Sequence, residues 1–153
     1  MKSLFLANAM TAMVALFAST AVAGNLVNVA GASGIAVGGY DPVAFFTDGK
    51  PTHGDPGITT TYKGAKYLFA SKAHKAQFDA DPEKFLPQFG GYCAYGAALG
   101  ALFPVDVSTW QIRNGKLYLN LNPTIAEEFN KNPEGNIAKA EKNWPDLVKK
   151  HSN

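Results

Sequence analysis

The sequence predicts a small, single-domain α+β fold: two β-hairpins forming an antiparallel sheet, packed with three to four short helices. Three observations carry that prediction. Two pairs of strand-like runs, rich in β-branched and aromatic residues, are each split by a two-residue turn containing glycine, Lys63-Gly64 and Asn114-Gly115. Helix-starting residues, Ser71 and Pro123, stand at the head of segments that lack the strand pattern. The composition, 46% hydrophobic and 17% charged, is that of a globular chain, and 153 residues suit one domain.

The first 23 residues stand apart from that fold. Met1 to Ala23 holds no acid and one base, Lys2, and from Ser3 to Val22 it is mostly Leu, Phe, Ala, Val and Met. It ends in the small-x-small triplet Ala21-Val22-Ala23, just before Gly24-Asn25. This is the layout of a secretory signal peptide, residues 1–23, leaving residues 24–150 as the domain. The apolar run of roughly 20 residues is long enough to span a bilayer, but the Ala-x-Ala ending favours cleavage over a retained anchor. The expected location is therefore periplasmic or secreted, with no membrane attachment once the signal is cut. Cleavage removes all three methionines, Met1, Met10 and Met13, which excludes a soft thioether copper site. It also removes Lys2, so the net charge falls from +2 to +1. The remaining chain, about 130 residues, is long enough to bury roughly two-thirds of its unfolded surface.

Along that chain, the uncharged segment from Gly24 to Tyr40 reads as an extended, partly packed arm. Asp41-Pro42 is a turn ahead of the apolar cluster Val43 to Phe46, Asp48-Gly49 turns again, and His53 to Gly57 is a loop. Ile58 to Tyr62 and Ala65 to Phe69 form the first hairpin. Ser71 caps a helix over Lys72 to Ala80, which Asp81-Pro82 ends. Glu83 to Leu86 adds one turn. After the break at Gly90-Gly91, the small apolar run Tyr92 to Leu99 predicts a closely packed helix ending at Gly100. Ser108 to Arg113 and Lys116 to Asn120 form the second hairpin around Asn114-Gly115. Pro123 opens a helix to about Asn130, and a last helix covers Asn136 to Lys150, bent at Trp144-Pro145.

Several function classes are excluded. The charge of +2 is too small for the dense basic face of a nucleic-acid binder. One cysteine, Cys93, cannot form an internal disulfide, a four-cysteine zinc site or a C-x-x-C pair. There is no G-x-S-x-G, H-E-x-x-H, P-loop, G-x-G-x-x-G or C-x-x-C-H motif, so no enzyme class is indicated.

The sequence resembles the secreted YHS domain-containing proteins. The matching pieces are Gly39-Tyr40-Asp41-Pro42-Val43-Ala44-Phe45-Phe46 and Tyr62-Lys63-Gly64-Ala65-Lys66-Tyr67-Leu68-Phe69-Ala70-Ser71. Phe78, Asp81-Pro82-Glu83-Lys84-Phe85 and Gly90-Gly91-Tyr92-Cys93-Ala94 follow, then Gly135-Asn136-Ile137-Ala138-Lys139-Ala140 and Asn143-Trp144-Pro145. The resemblance runs over about 27–148 and implies a small module of the kind attached to metal-transporting or metal-dependent proteins. Metal-linked members carry a Cys pair just after the second strand of the hairpin. The corresponding positions here are Ala70 and His74, and the tripeptide that names the family falls on Ile58-Thr59-Thr60. The thiolate pair of those members is therefore out of reach.

Two candidate ligands remain, Cys93 and His74. In an oxidising compartment an unpaired thiol is either buried or used. As a thiolate it would pair with a neutral imidazole to suit copper or zinc. A third ligand would have to come from His53, a carboxylate or a backbone oxygen. Ala70, His74 and Phe78 share a helix face by their spacing, and Asp41 reads as a turn former. His53 reads as solvated and His151 as part of a disordered end. Tyr40, Tyr62, Tyr67, Tyr92, Tyr95 and Trp110 either line an aromatic pocket or belong to the core. Two functional readings stand: a metal-binding or metal-handling module using Cys93 and His74 with copper or zinc, and a non-catalytic domain that binds a protein partner or a small ligand without metal. The discriminating quantity is separation, since two ligands of one ion lie about 3–4 Å apart.

Overall fold

The computed structural model describes residues 25–152 of the chain; the signal peptide and cleavage site expected from the sequence lie outside them. The fold is α+β, as the patterning predicts. In chain order the strands are β1 (Val29–Ala30), β2 (Ile35–Ala36), β3 (Asp55–Tyr62), β4 (Ala65–Phe69), β5 (Asp106–Arg113) and β6 (Lys116–Asn120). The helices are α1 (Ala44–Thr47), α2 (Lys72–Ala80), α3 (Pro82–Phe85), α4 (Ala94–Ala98), α5 (Pro123–Asn130) and α6 (Pro133–His151). The sequence predicted three or four helices, and the described residues hold six, because α1 and α3 are single turns.

Both hairpins form where the turn chemistry places them. Lys63 and Gly64 have φ of 48° and 79°, Asn114 and Gly115 have 49° and 74°. Two consecutive left-handed residues make the turn whose twist matches the strands it joins. The hairpins do not merge into one antiparallel sheet. β3 and β4 belong to a mixed sheet ordered β1-β2-β4-β3, in which β2 runs parallel to β4, while β5 and β6 form a two-stranded sheet of their own. The reason lies at two strands. The free edge of β4 is taken by β2, where Ile35 pairs with Lys66, so the segment read as an arm is partly sheet. β6 is buried throughout from Leu117 to Asn120, because its alternating side chains serve two cores.

Leu117 and Leu119 face a first cluster with Phe45, Tyr67, Phe69, Phe78 and Phe85. Tyr118, on the opposite face of β6, belongs to a second cluster with Phe89, Ala94, Ala97, Phe129, Ala140 and Leu147. The second core depends on small residues. α6 packs chiefly on α4, and a Cβ on Gly96 would lie 2.6 Å from the Phe103 ring. Asn143 of α6 donates to the carbonyls of Ala97 and Ala98 at 3.1 and 3.0 Å, satisfying the end of α4. α6 begins at Pro133, three residues before the expected start, and runs through Pro145 without interruption to His151. His151 is thus an exposed last-turn residue, not part of a disordered end, and sits where a helix C-terminus favours basic side chains.

Candidate functional site

α2 spans the residues expected of it, and its start is built by capping. Ser71 is extended (φ −150°, ψ 159°) and its hydroxyl accepts from the His74 amide at 3.1 Å. That places His74 in the first turn of α2, above the turn that follows Pro42. The side chain meeting it there is Asp41, which is fully buried. Asp41 is a turn former, as its sequence context predicts: its Oδ1 accepts from the amides of Val43 at 2.8 Å and Ala44 at 3.3 Å. Its Oδ2 does something the sequence did not reveal. It accepts from the Ala70 amide at 2.8 Å and lies 2.6 Å from His74 Nδ1.

A carboxylate only accepts, so the proton between Asp41 and His74 is carried by Nδ1. In the neutral ring, Nε2 is then left with a lone pair. It faces outward, 3.3 Å from Thr47 Oγ1 and 3.6 Å from Asp48 Oδ1. Thr47 Oγ1 and Asp48 Oδ1 are themselves 3.0 Å apart. The His74 side chain is 13% exposed and that of Asp48 36%, so this trio opens to solvent while Asp41 behind it does not. Asp48 and Thr47 come from the end of α1 and the residue after it. Asp41 reaches His74 across 33 positions of sequence, a distance over which no local pattern signals contact. The only sequence hint was the Asp-Pro pair, which marks the turn and not its second partner.

Cys93 occupies a different setting. It is the N-cap of α4, which starts at Ala94 and not at Tyr92, and it is 1% exposed. Its sulfur accepts from the Gly96 amide at 3.4 Å and its thiol donates to Asn120 Oδ1 at 3.6 Å. The same Oδ1 accepts from the Tyr95 amide at 3.1 Å. Asn120 Nδ2 is buried without a partner among the described residues. That spare group is a donor, of the wrong polarity to face a cation. Among the described residues Cys93 and His74 share no hydrogen-bond partner. Among the described residues no group of three or more His, Cys, Asp or Glu side chains is arranged to hold a metal ion.

The remaining candidates separate. His53 is exposed and stacks on Tyr40, ring centres 4.1 Å apart. Trp110 packs on Phe45 in the first core. Tyr62 donates to Glu83 at 2.7 Å, and the Lys63 ammonium bonds the same carboxylate oxygen. Those two contacts, Lys63 first, hold the Glu83 carboxyl below the usual carboxylate range. Tyr67 is the one expected aromatic that lines a cleft, of about 710 Å³, between the N-terminal segment and α6.

Residues 43–89 match the YHS domain. No curated protein and no solved structure matches the chain. The matched stretch runs from α1 through α3 and includes Thr47, Asp48 and His74; Asp41 lies just ahead of it and Cys93 beyond its end. No helix among the described residues is long and apolar enough to cross a membrane.

Proposed function

Starting from a chain that carries a YHS domain at residues 43–89, we propose a metal-handling module that holds a copper(II) or zinc ion at His74 Nε2, with the Asp48 carboxylate as second ligand and the Thr47 hydroxyl beside them. The observation that carries this reading is the Asp41–His74 pair. Metal-binding histidines characteristically give their other ring N–H to a carboxylate, which fixes the tautomer and raises the basicity of the free nitrogen. Donor separations of 3.0, 3.3 and 3.6 Å among the three outward atoms suit ligands of one ion. An imidazole and a carboxylate are borderline-to-hard donors, which favours copper(II) or zinc over copper(I). Two strong protein ligands and an open outer face suit an ion that is passed on, not one that is stored. The bound ion would supply a labile coordination position at the surface.

Cys93 has no part in this reading, since its sulfur caps α4 and its neighbour offers a donor. The test is copper(II) titration of the protein followed by electron paramagnetic resonance and calorimetry. One bound ion is expected, with hyperfine splitting from a single imidazole nitrogen. His74→Ala abolishes it, Asp48→Asn weakens it about tenfold or more, and Cys93→Ser leaves it unchanged. Stoichiometric binding that persists in His74→Ala, or no binding in the wild type, overturns the reading.

A further inference from the structure

The cleft beside Tyr67 has a chemistry of its own. One wall is Leu26 and Val27 of the N-terminal segment, which is fastened by a 2.8 Å bond from the Asn28 amide to the Gly90 carbonyl. Gly90 makes that approach feasible: its φ is +60°, and a Cβ there would lie 2.1 Å from the Leu26 carbonyl oxygen. The other wall is Trp144, from α6, whose ring meets Phe89 edge-on. The volume, about 710 Å³, is within the range of roughly 300–1,000 Å³ typical of small-molecule sites.

Two polar features mark this space as more than a packing gap. Tyr67 is 2% exposed and lines the cleft, yet its hydroxyl makes no hydrogen bond to another described residue. A phenol is protonated near neutral pH and offers a donor, and burial first, then the nearby Glu83 charge, pushes this one further above its ordinary value. At the mouth stands Lys149, exposed and without an ion pair among the described residues. Among the described residues the one carboxylate that faces the cleft, Glu83, is already bonded to Lys63 and Tyr62. An apolar body between Trp144 and Leu26, a neutral hydroxyl donor opening into the cleft and a free cation among its lining residues together fit one kind of ligand.

We propose that this cleft binds a small carboxylate with an apolar tail, the tail lying against Trp144, Phe89 and Leu26 and the carboxylate accepting from Tyr67 with Lys149 nearby. The site is separate from the ion site at His74, and its test does not depend on metal.

The probe is sodium octanoate, kept below its micelle concentration, with octan-1-ol as the tail without the charge. The full-length chain is labelled with nitrogen-15 and the two indole signals are followed, that of Trp144 being assigned with Trp144→Phe. Octanoate is expected to shift the Trp144 signal saturably and to leave Trp110 in place. It binds about fivefold or more tightly than octanol, because only the carboxylate gains a charge-assisted bond. Tyr67→Phe, which keeps the ring and loses the donor, and Lys149→Gln each weaken octanoate about three- to tenfold, while octanol, an uncharged acceptor, is weakened less by Tyr67→Phe and unchanged by Lys149→Gln. His74→Ala changes neither. Equal affinity for acid and alcohol, or indifference of octanoate to both Tyr67→Phe and Lys149→Gln, overturns the carboxylate assignment. No Trp144 response to either probe overturns the cleft as a binding site, and leaves the ion site to be judged by its own titration.

Discussion

The starts of α2 and α4 are built alike and end up with opposite chemistry. In each, an N-cap side chain accepts from the amide three residues on, Ser71 from His74 and Cys93 from Gly96. At α2 the capped turn carries an imidazole whose inner nitrogen is held by buried Asp41 and whose outer nitrogen faces an opening. At α4 the reactive atom is itself the cap, and small residues seal it: Cys93, Ala94 and Ala97 are all 1% exposed or less. Residue type drew attention to both places. What separates them is whether a lone pair is left over and pointed outward after the fold has taken what it needs.

The largest expected effect breaks the α2 side of that comparison from behind. Asp41 satisfies three backbone amides and one imidazole. Asp41→Ala orphans those donors in a buried setting and should cost about 3–5 kcal/mol in urea denaturation. His74→Ala should cost less, about 1–3 kcal/mol, because the carboxylate keeps its three amide donors. If the two variants were equally destabilised, the pair with His74 would be the main use of Asp41, and its three amide bonds would add little.

On the α4 side the closeness itself is the target. Gly96→Ala puts a Cβ 2.6 Å from the Phe103 ring and 3.2 Å from the Ala101 carbonyl, where the backbone contact cannot give way easily. An overpacking loss of about 1–3 kcal/mol is expected, read as a lower denaturation midpoint with metal binding intact. Cys93→Ser replaces one cap with a better one in a slightly shorter side chain, so its stability should stay within about 1 kcal/mol of the wild type. A larger loss would mean that the sulfur fills volume that matters more than the cap.

Much of this fold was legible because its signals are local. The Lys63-Gly64 and Asn114-Gly115 turns, the Ser71 cap and Pro123 each act within four residues, and the elements they start lie where they point. The sheet arrangement was not legible, since β2 finds β4 through the single pair of Ile35 with Lys66. The same holds for the site. His74 was visible as a residue type on the core side of α2. Asp41 as its tether and Asp48 as its neighbour come from segments brought together only by the packing of α1 against the first core. Tyr67 was visible only as one aromatic among several. Its place at a cleft depends on the N-terminal segment crossing Gly90.

The smallest effect concerns charge at the edge of the same sheet. Lys63 first, and then Tyr62, depress the Glu83 carboxyl in the folded state. A depressed acid contributes stability that is present above its unfolded value, near 4.5, and is lost as pH falls through the folded value. Glu83→Gln should therefore lower stability slightly at pH 7, by less than about 1 kcal/mol, since the pair is exposed and screened. It should remove part of the decline seen in acid denaturation below about pH 4.5. The same substitution frees Lys63 at one end of the Tyr67 cleft, so octanoate affinity should hold or rise slightly. Asp41 behaves differently in kind: its partners are three amides and a ring inside the protein, where neither salt nor a neighbouring lysine can substitute. A stability curve in which Glu83→Gln rivalled Asp41→Ala would show that the exposed contact of α3 with the hairpin stabilises the fold as much as the buried tether at the start of α2.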